Sequence, residues 1–436
     1  MHKELAQFFY LLCLVIIACL SFIANSAKAV SLPDCVEKLS SLRPERSHCI
    51  KQWSVLVFMA ADNELSRFSQ ADLQEMLLGK GSDASLSYDI AVEIDTHGNS
   101  GSKRLLIENE IHDLLQLPEK NTADPKTLES FLQWAIEHFP AKQYAFIMWG
   151  HGDGWGSINF VQIAGKGGAG IAYDESSGAW LKIPQLRQAF ARTQKNFLHG
   201  KPFNLYASDA CFMQMAEVAF ELRNSAEYIF GSAPKMDYSG LPYDLLFENL
   251  STRKYSDGRA LAKDLPLLVQ SHYAQNAEVI ASTIEADALP AFSVALNQLA
   301  AVALPWINTD TFFRLKMLEI IYDTQHYQSS IRDLGHFLKL WKEFSLDYPE
   351  LYQQIIVTEE KVKNMIVSQT KSAEAGGISI WLPSDYEEFA LFSPQFRQSS
   401  LHRIHWKKIN QTYEYYYDSD LNDWGKFLEA LYLQAS

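Results

Sequence analysis

The sequence predicts an α/β fold: a mostly parallel sheet with helices on both faces. Three observations carry this. Apolar, β-rich runs recur through the first part of the chain; segments of helical spacing separate them; and several runs lack the alternation of a half-exposed strand, so both their faces are buried. From about residue 251 the chain is mainly helical, with strand-like returns at Glu278 to Ile284 and Gly377 to Pro383. That divides it into an N-terminal leader (1–29), a connecting segment (30–52), an α/β domain (53–250) and a C-terminal lobe (251–436) that contributes further strands and helices.

The elements follow in order. Trp53 to Ala61 is a continuous apolar strand ending at Asp62-Asn63, and Leu65, Phe68, Leu73, Met76 and Leu77 then repeat with helical spacing up to Gly79. Tyr88 to Ile94 is a second strand. Asp124-Pro125 supplies an N-cap and a first-turn proline for a helix whose apolar face is Leu128, Phe131, Leu132, Ala135 and Ile136. Tyr144 to Trp149 is a third strand, running into Gly150-His151-Gly152-Asp153-Gly154. After a Gly-rich stretch to Gly170, Ile171 to Gly178 forms a short strand and turn, and Ile183-Pro184 opens another helix. Phe203 to Ala207 is the fourth strand, ending in Ser208-Asp209-Ala210-Cys211; a helix over 213–223 and a fifth strand over Tyr228 to Gly231 follow.

Composition bounds the partners. The 436 residues are 47% hydrophobic and 21% charged, and 38 Lys+Arg against 52 Asp+Glu give a net charge of −14. A chain this acidic is not held on nucleic acid or an anionic membrane by bulk charge, since both are polyanions.

The N-terminus points to export. A charged start, a long apolar run from Leu5 and an Ala27-Lys28-Ala29 site have the layout of a cleaved signal peptide, giving a secreted or periplasmic protein with no membrane span after cleavage. Two alternatives remain open: Ile16-Ile17-Ala18-Cys19 resembles a lipobox, which gives a lipid-anchored envelope protein, and an uncleaved leader would be an N-terminal anchor.

Five cysteines are present, and cleavage after Ala29 removes Cys13 and Cys19. Cys35 and Cys49 lie close together before the first strand and pair naturally in an oxidising compartment. Cys211 is then the odd thiol.

In open α/β sheets ligands sit at the carboxyl ends of the strands, where both His151 and Cys211 fall. A lone histidine there is more often structural and a lone cysteine more often core. Together, one flanked by glycines and the other an unpaired exported thiol before a helix, they suit nucleophilic catalysis. The thiolate attacks a carbonyl carbon and the imidazole manages the proton, while a helix N-terminus lowers the thiol pKa. Glycine at 152 lets a backbone N–H approach an acyl oxygen, so the amides of Gly152 and Cys211 form a candidate oxyanion hole.

Trp53 to Leu65, Met148-Trp-Gly-His-Gly-Asp-Gly154, Gly170-Ile-Ala-Tyr-Asp-Glu175 and Asp209-Ala-Cys-Phe-Met213 resemble, in order, the motifs of the clostripain family of cysteine peptidases. Ala281 to Asp287 and Gly377 to Pro383 resemble its later segments. The resemblance spans roughly residues 53 to 430 and implies a caspase-like fold and a cysteine endopeptidase acting on peptide or protein substrates. It places the catalytic histidine on His151, the nucleophile on Cys211, and the acid that helps bind a basic P1 side chain on Asp209.

Two departures bear on specificity. Ala233-Pro234 replaces a glutamate pair, and Ser239 stands where a second P1-binding acid is expected, before Gly240-Leu-Pro-Tyr243. Asp237 is the nearest substitute, so cleavage after Arg or Lys is the resulting expectation. The resemblance also implies activation by cleavage between histidine and cysteine, for which Lys166, in Gly165-Lys-Gly-Gly-Ala-Gly170, is the candidate site; an inert surface loop is the alternative. A non-catalytic envelope protein using the fold as a binding surface is the rival reading, favoured by the missing acids and opposed by the intact His151 and Cys211.

No cofactor is expected from the residues. The family raises calcium, and Asp418-Ser-Asp-Leu-Asn-Asp423 with Glu429 has part of an EF-hand spacing, but Asp423 stands where that loop needs glycine. Capping of the helix from Trp424 is the better account. Asp95-Thr-His97 and His402-Arg-Ile-His405 are read as surface or hydrogen-bonded residues rather than metal ligands.

Overall fold

The computed structural model describes residues 49–81, 88–98, 101–155, 170–253, 255–274, 279–372, 375–409, 412–418 and 420–433. The leader, Cys35 and Lys166 lie outside them.

Strand β1 (Lys51–Ala61) leads into helix α1 (Ser66–Lys80), β2 (Tyr88–Thr96), the hairpin β3 (Ser102–Ile107) and β4 (Ile111–Gln116), α2 (Pro125–His138) and β5 (Ala141–Trp149). A small hairpin, β6 (Ile171–Asp174) and β7 (Ala179–Leu181), precedes α3 (Ile183–Phe197), β8 (Phe203–Asp209), α4 (Ala216–Leu222), β9 (Ala226–Ser232), α5 (Tyr243–Arg253) and α6 (Gly258–His272). Then come β10 (Ala281–Glu285), α7 (Leu289–Thr309), α8 (Thr311–Asp323), β11 (His326–Gln328), β12 (Ile331–Asp333), α9 (Leu334–Phe344) and α10 (Pro349–Met365). The chain closes with β13 (Ile366–Gln369), β14 (Ser379–Trp381), α11 (Tyr386–Phe396), α12 (Ser400–Arg403), β15 (Ile404–Ile409), β16 (Thr412–Tyr417) and α13 (Asp423–Leu433).

The main sheet has nine strands in the order β13-β10-β9-β8-β5-β1-β2-β3-β4. Its centre, β9 to β2, is parallel as predicted, and antiparallel strands extend both edges. Strand β1 is buried on both faces: Leu56, Phe58 and Ala60 belong to one apolar layer, and Val55, Val57 and Met59 to the other. Burying each large apolar side chain stabilises by about 1.5–3 kcal/mol, which explains the unbroken apolar run. Helices α1, α5 and α6 cover the second layer, while α2, α3, α4 and the C-terminal helices cover the first.

Three local features differ from the sequence expectation. Helix α1 runs through Gly79 to Lys80 rather than stopping there: glycine at 79 serves the close packing on α5, since the backbone of Asp244 lies where a side chain would stand, and Gly81, at φ 61°, follows the last residue. The helix after Cys211 starts only at Ala216, because Gln214 and Met215 are drawn into extended pairing: Gln214 N–H donates to Ser232 O, and Ser379 N–H donates to Gln214 O. In the C-terminal lobe β10 and β13 join the main sheet, whereas the predicted strand around Ser379 pairs with β12 in a separate three-stranded sheet. One apolar cluster runs from Leu56 through α4 to Tyr432, so the two regions share a core. Among the described residues one helical stretch, Ala286–Thr309, is long and apolar enough to cross a membrane; half of its most apolar window is buried, and it packs against α10 and α13.

Candidate active site

Strands β5 and β8 are direct parallel neighbours, with Trp149 opposite Asp209. Their following loops therefore leave the same sheet end side by side. Gly150, at φ 145°, donates its N–H to Asp209 O at 3.2 Å, and Gly152 lies against the Cys211 turn: an added Cβ would overlap the Cys211 carbonyl oxygen and stand 2.9 Å from Ala210 Cβ. The fold thus brings together the two strand ends that carry His151 and Cys211.

Gly152 also forms an isolated antiparallel bridge with Ile171. The bonds of that bridge belong to its neighbours: Ala172 N–H donates to His151 O and Asp153 N–H to Gly170 O, each at 2.9 Å. In this geometry the N–H of Gly152 itself points away from the hairpin. Non-glycine residues with positive φ flank both loops, Ala172 in the hairpin and Phe212 next to Cys211, each at 59°. Such residues cost about 1–3 kcal/mol each and persist only where the surroundings impose them.

Cys211 is partly buried and packs against both apolar layers. Its Sγ accepts the Met236 N–H at 3.4 Å, and Phe212 N–H donates to Pro234 O, zipping the turn to the segment after β9. Burial pushes the thiol above its usual value, with the Met236 amide and then Lys235 pulling it down. The predicted lowering by a helix N-terminus does not apply, since α4 begins five residues later and is short.

His151 is 15% exposed, and its Nε2 lies 2.9 Å from Glu64 Oε1. The rings of Tyr173 and Trp180 each stand 6.4 Å from the imidazole. Burial pushes the imidazole pKa down, and Glu64 followed by Glu175 opposes this.

Asp209 occupies the same sheet face as Trp149 and is buried. Its Oδ2 accepts from Leu241 N–H at 3.1 Å and the Tyr243 hydroxyl at 2.9 Å, and a Cβ on Gly240 would stand 2.7 Å from that oxygen. Burial raises it to about 6, against the two hydrogen bonds. Ser239 and Asp237 lie on the adjoining loop and are exposed, with Asp237 Oδ1 accepting the Ser239 N–H at 3.0 Å and its hydroxyl at 3.1 Å. Two further acids were missed in the sequence. Buried Asp72 in α1 accepts the Trp149 indole N–H at 2.6 Å and is raised to about 8 by burial and then by Asp209; Glu75, one turn on, is raised by burial and then by Asp244. Their only sequence signal is two carboxylates set beside Leu73 and Met76 on an otherwise apolar helix face.

Among the described residues no group of three or more His, Cys, Asp or Glu side chains is arranged to hold a metal ion. Asn422 caps α13, its Oδ1 accepting from Gly425 N–H at 3.0 Å while its amide nitrogen donates to Leu401 O and Ile404 O. His402 is buried and donates from Nδ1 to Phe396 O at 2.8 Å; His405 donates to Asp420 O at 3.2 Å. His97 lies 3.4 Å from Asp62 and 3.6 Å from Glu175. Cys49 is disulfide-bonded.

The model of the clostripain family matches residues 57–430. Clostripain of Hathewaya histolytica is 23% identical over 230 residues, covering 45% of this chain and 42% of that protein, so the aligned stretch spans less than half the length of this curated relative. A secreted C11 cysteine protease from Bacteroides thetaiotaomicron, solved with an irreversible peptide inhibitor, superposes with a TM-score of 0.60 at 22% identity, over 80% of this chain and 98% of that one. An inactive zymogen C11 protease from Parabacteroides distasonis gives 0.62 at 16% identity, over 81% and 97%. These structures share the fold of the chain.

Proposed function

The chain belongs to the clostripain family, and on that premise we propose that it is an exported cysteine endopeptidase working through Cys211 and His151. The observation that carries the reading is the side-by-side exit of the β5 and β8 loops, with Gly152 packed on the Cys211 turn. In this mechanism His151 takes the Cys211 proton as Sγ bonds to the scissile carbonyl carbon. The amide N–H groups of Gly152 and Cys211 receive the negative charge on the carbonyl oxygen. His151 then gives the proton to the leaving amine as the C–N bond breaks, and water releases the acyl group from sulfur.

Arg or Lys at P1 fits the acids beneath the loop. Asp209 is the carboxylate facing the side chain; Asp72 and half-buried Glu75 of α1 lie near it, but burial favours the neutral form of Asp72, so it does not replace the charge that Ser239 lacks. Asp237 contributes from the exposed loop. Export rests on the leader, and the description of the Bacteroides relative as secreted supports it. Activation by self-cleavage after Lys166 completes the reading; no cofactor is proposed, and chelation tests whether calcium is needed.

Fluorogenic peptides with matched P1 residues test this with wild type, Cys211→Ala and His151→Ala. Hydrolysis by wild type alone, fastest after Arg or Lys, supports the reading. No cleavage by freshly purified wild type contradicts it. Self-processing predicts that wild type runs as two chains and that Cys211→Ala and Lys166→Ala stay intact.

A further inference from the structure

The turn that follows β1 is fixed before α1 begins. Asp62 and Asn63 are fully buried. Asn63 Nδ2 donates to Ala60 O at 3.0 Å and to Tyr173 O at 2.8 Å, and its Oδ1 accepts from Leu65 N–H at 3.0 Å. Asp62 accepts on its carbonyl from Glu175 N–H at 2.8 Å and on Oδ2 from Ser176 N–H at 3.0 Å. Glu64 therefore projects from a clamped backbone, although its side chain is 62% exposed. Its Oε1 lies 2.9 Å from His151 Nε2. A carboxylate only accepts hydrogen bonds, so Nε2 carries the hydrogen, and the basic lone pair of the neutral ring is on Nδ1.

We propose that Glu64 is a positioning residue for His151: it holds the imidazole in the Nε2–H tautomer and stabilises the imidazolium that forms when Cys211 gives up its proton. This rests on the Cys211–His151 reading above. The titratable groups facing His151 are Glu64 on the β1–α1 turn and Glu175 and Tyr173 on the β6–β7 hairpin, while Cys211 follows the neighbouring strand end. Glu64 places a carboxylate oxygen within hydrogen-bond distance of Nε2. The hairpin that receives Asp62 and Asn63 also bridges Gly152, so one set of backbone bonds fixes both the acid and the loop bearing the histidine.

The test compares wild type, Glu64→Gln and Glu64→Ala. Glutamine keeps an acceptor but loses the charge; alanine loses both. His151 must be unprotonated to accept the Cys211 proton, so the acid limb of kcat/KM reports its imidazolium, and both variants move that limb down by about one pH unit with KM unchanged. At neutral pH kcat/KM falls about tenfold in Glu64→Ala and less in Glu64→Gln. Thermal unfolding midpoints stay at the wild-type value, because the side chain is exposed. The pH dependence of Cys211 alkylation by iodoacetamide gives a readout without peptide hydrolysis. A thiol unreactive in wild type defeats the peptidase reading itself. A reactive thiol with the same pH dependence in all three proteins, or a lowered unfolding midpoint with the acid limb unmoved, overturns the role of Glu64 alone.

Discussion

Gly152 packs its α-carbon against the carbonyl oxygen of Cys211, so the loop after one strand and the turn after the next are in contact where the side chains of His151 and Cys211 originate. A methyl group has no room: besides that oxygen it meets Ala210 Cβ at 2.9 Å and Met213 Cγ at 3.0 Å. Gly152→Ala must push the loops apart, and a displacement of about 1 Å between reacting groups costs about 100-fold in rate. Steady-state kcat on a fluorogenic peptide checks this. An active Gly152→Ala variant contradicts the close packing.

Asp209 ionises near pH 6 in its buried setting. Its charge appears as pH rises through that value, so KM for a peptide with Arg or Lys at P1 should fall from about pH 5 to about pH 7, while KM for a matched peptide with an uncharged P1 should not. Asp209→Asn should lower kcat/KM for the basic peptide by about 10–100-fold, the loss of one charged hydrogen bond. Paired KM–pH profiles on the two peptides test both statements.

Asp72 gives a prediction about stability. Burial raises its pKa from 3.8 to about 8, so its neutral form is favoured in the folded protein. The stabilisation that accompanies proton uptake is complete below the unfolded value and is lost as pH rises through the folded one. Asp72→Asn, which keeps an acceptor for the Trp149 indole, removes that loss. The unfolding temperature of Asp72→Asn relative to wild type should increase from about pH 4 to about pH 8; parallel curves would show that Asp72 does not titrate in this window.

Cys49 is disulfide-bonded, and Cys35 is its proposed partner. Closing a loop of that length contributes about 3 kcal/mol through the entropy of the unfolded chain. Cys35→Ser, Cys49→Ser and the double variant should lose stability by the same amount in denaturant melts, and reducing agent should not affect the double variant. Unequal losses would assign Cys49 a different partner.

The strand ends were legible because buried parallel strands read as unbroken apolar runs, and each stops where the polar or glycine residues of the site begin: Trp149 before Gly150-His151, Ala207 before Ser208 to Cys211. Glu64 and Asp72 were not, because their roles depend on contacts between distant segments. Glu64 meets His151 only once the β1 turn is clamped to the hairpin, and Asp72 looks like one polar residue in an amphipathic helix until Trp149 is set above it. The edge hairpin escaped notice for a related reason. Lys103 and Arg104 break the apolar pattern of β3, and only the structure pairs Arg104 with Glu93 of β2 at 2.6 Å. The late start of α4 reflects a competition that local sequence does not show, since Gln214 spends its backbone on Ser232 and Ser379 instead of a first helical turn.

The central claim is that Cys211 is the nucleophile, and covalent capture tests it most directly. Folded protein is treated with an irreversible thiol-directed peptide inhibitor carrying Arg or Lys at P1, and the intact mass and the modified residue are determined. The account predicts a single adduct on Cys211, slower labelling in His151→Ala, and neither adduct nor peptide hydrolysis in Cys211→Ala. Folded protein that takes no label at Cys211, or a Cys211→Ala variant that still cleaves peptides, would contradict it.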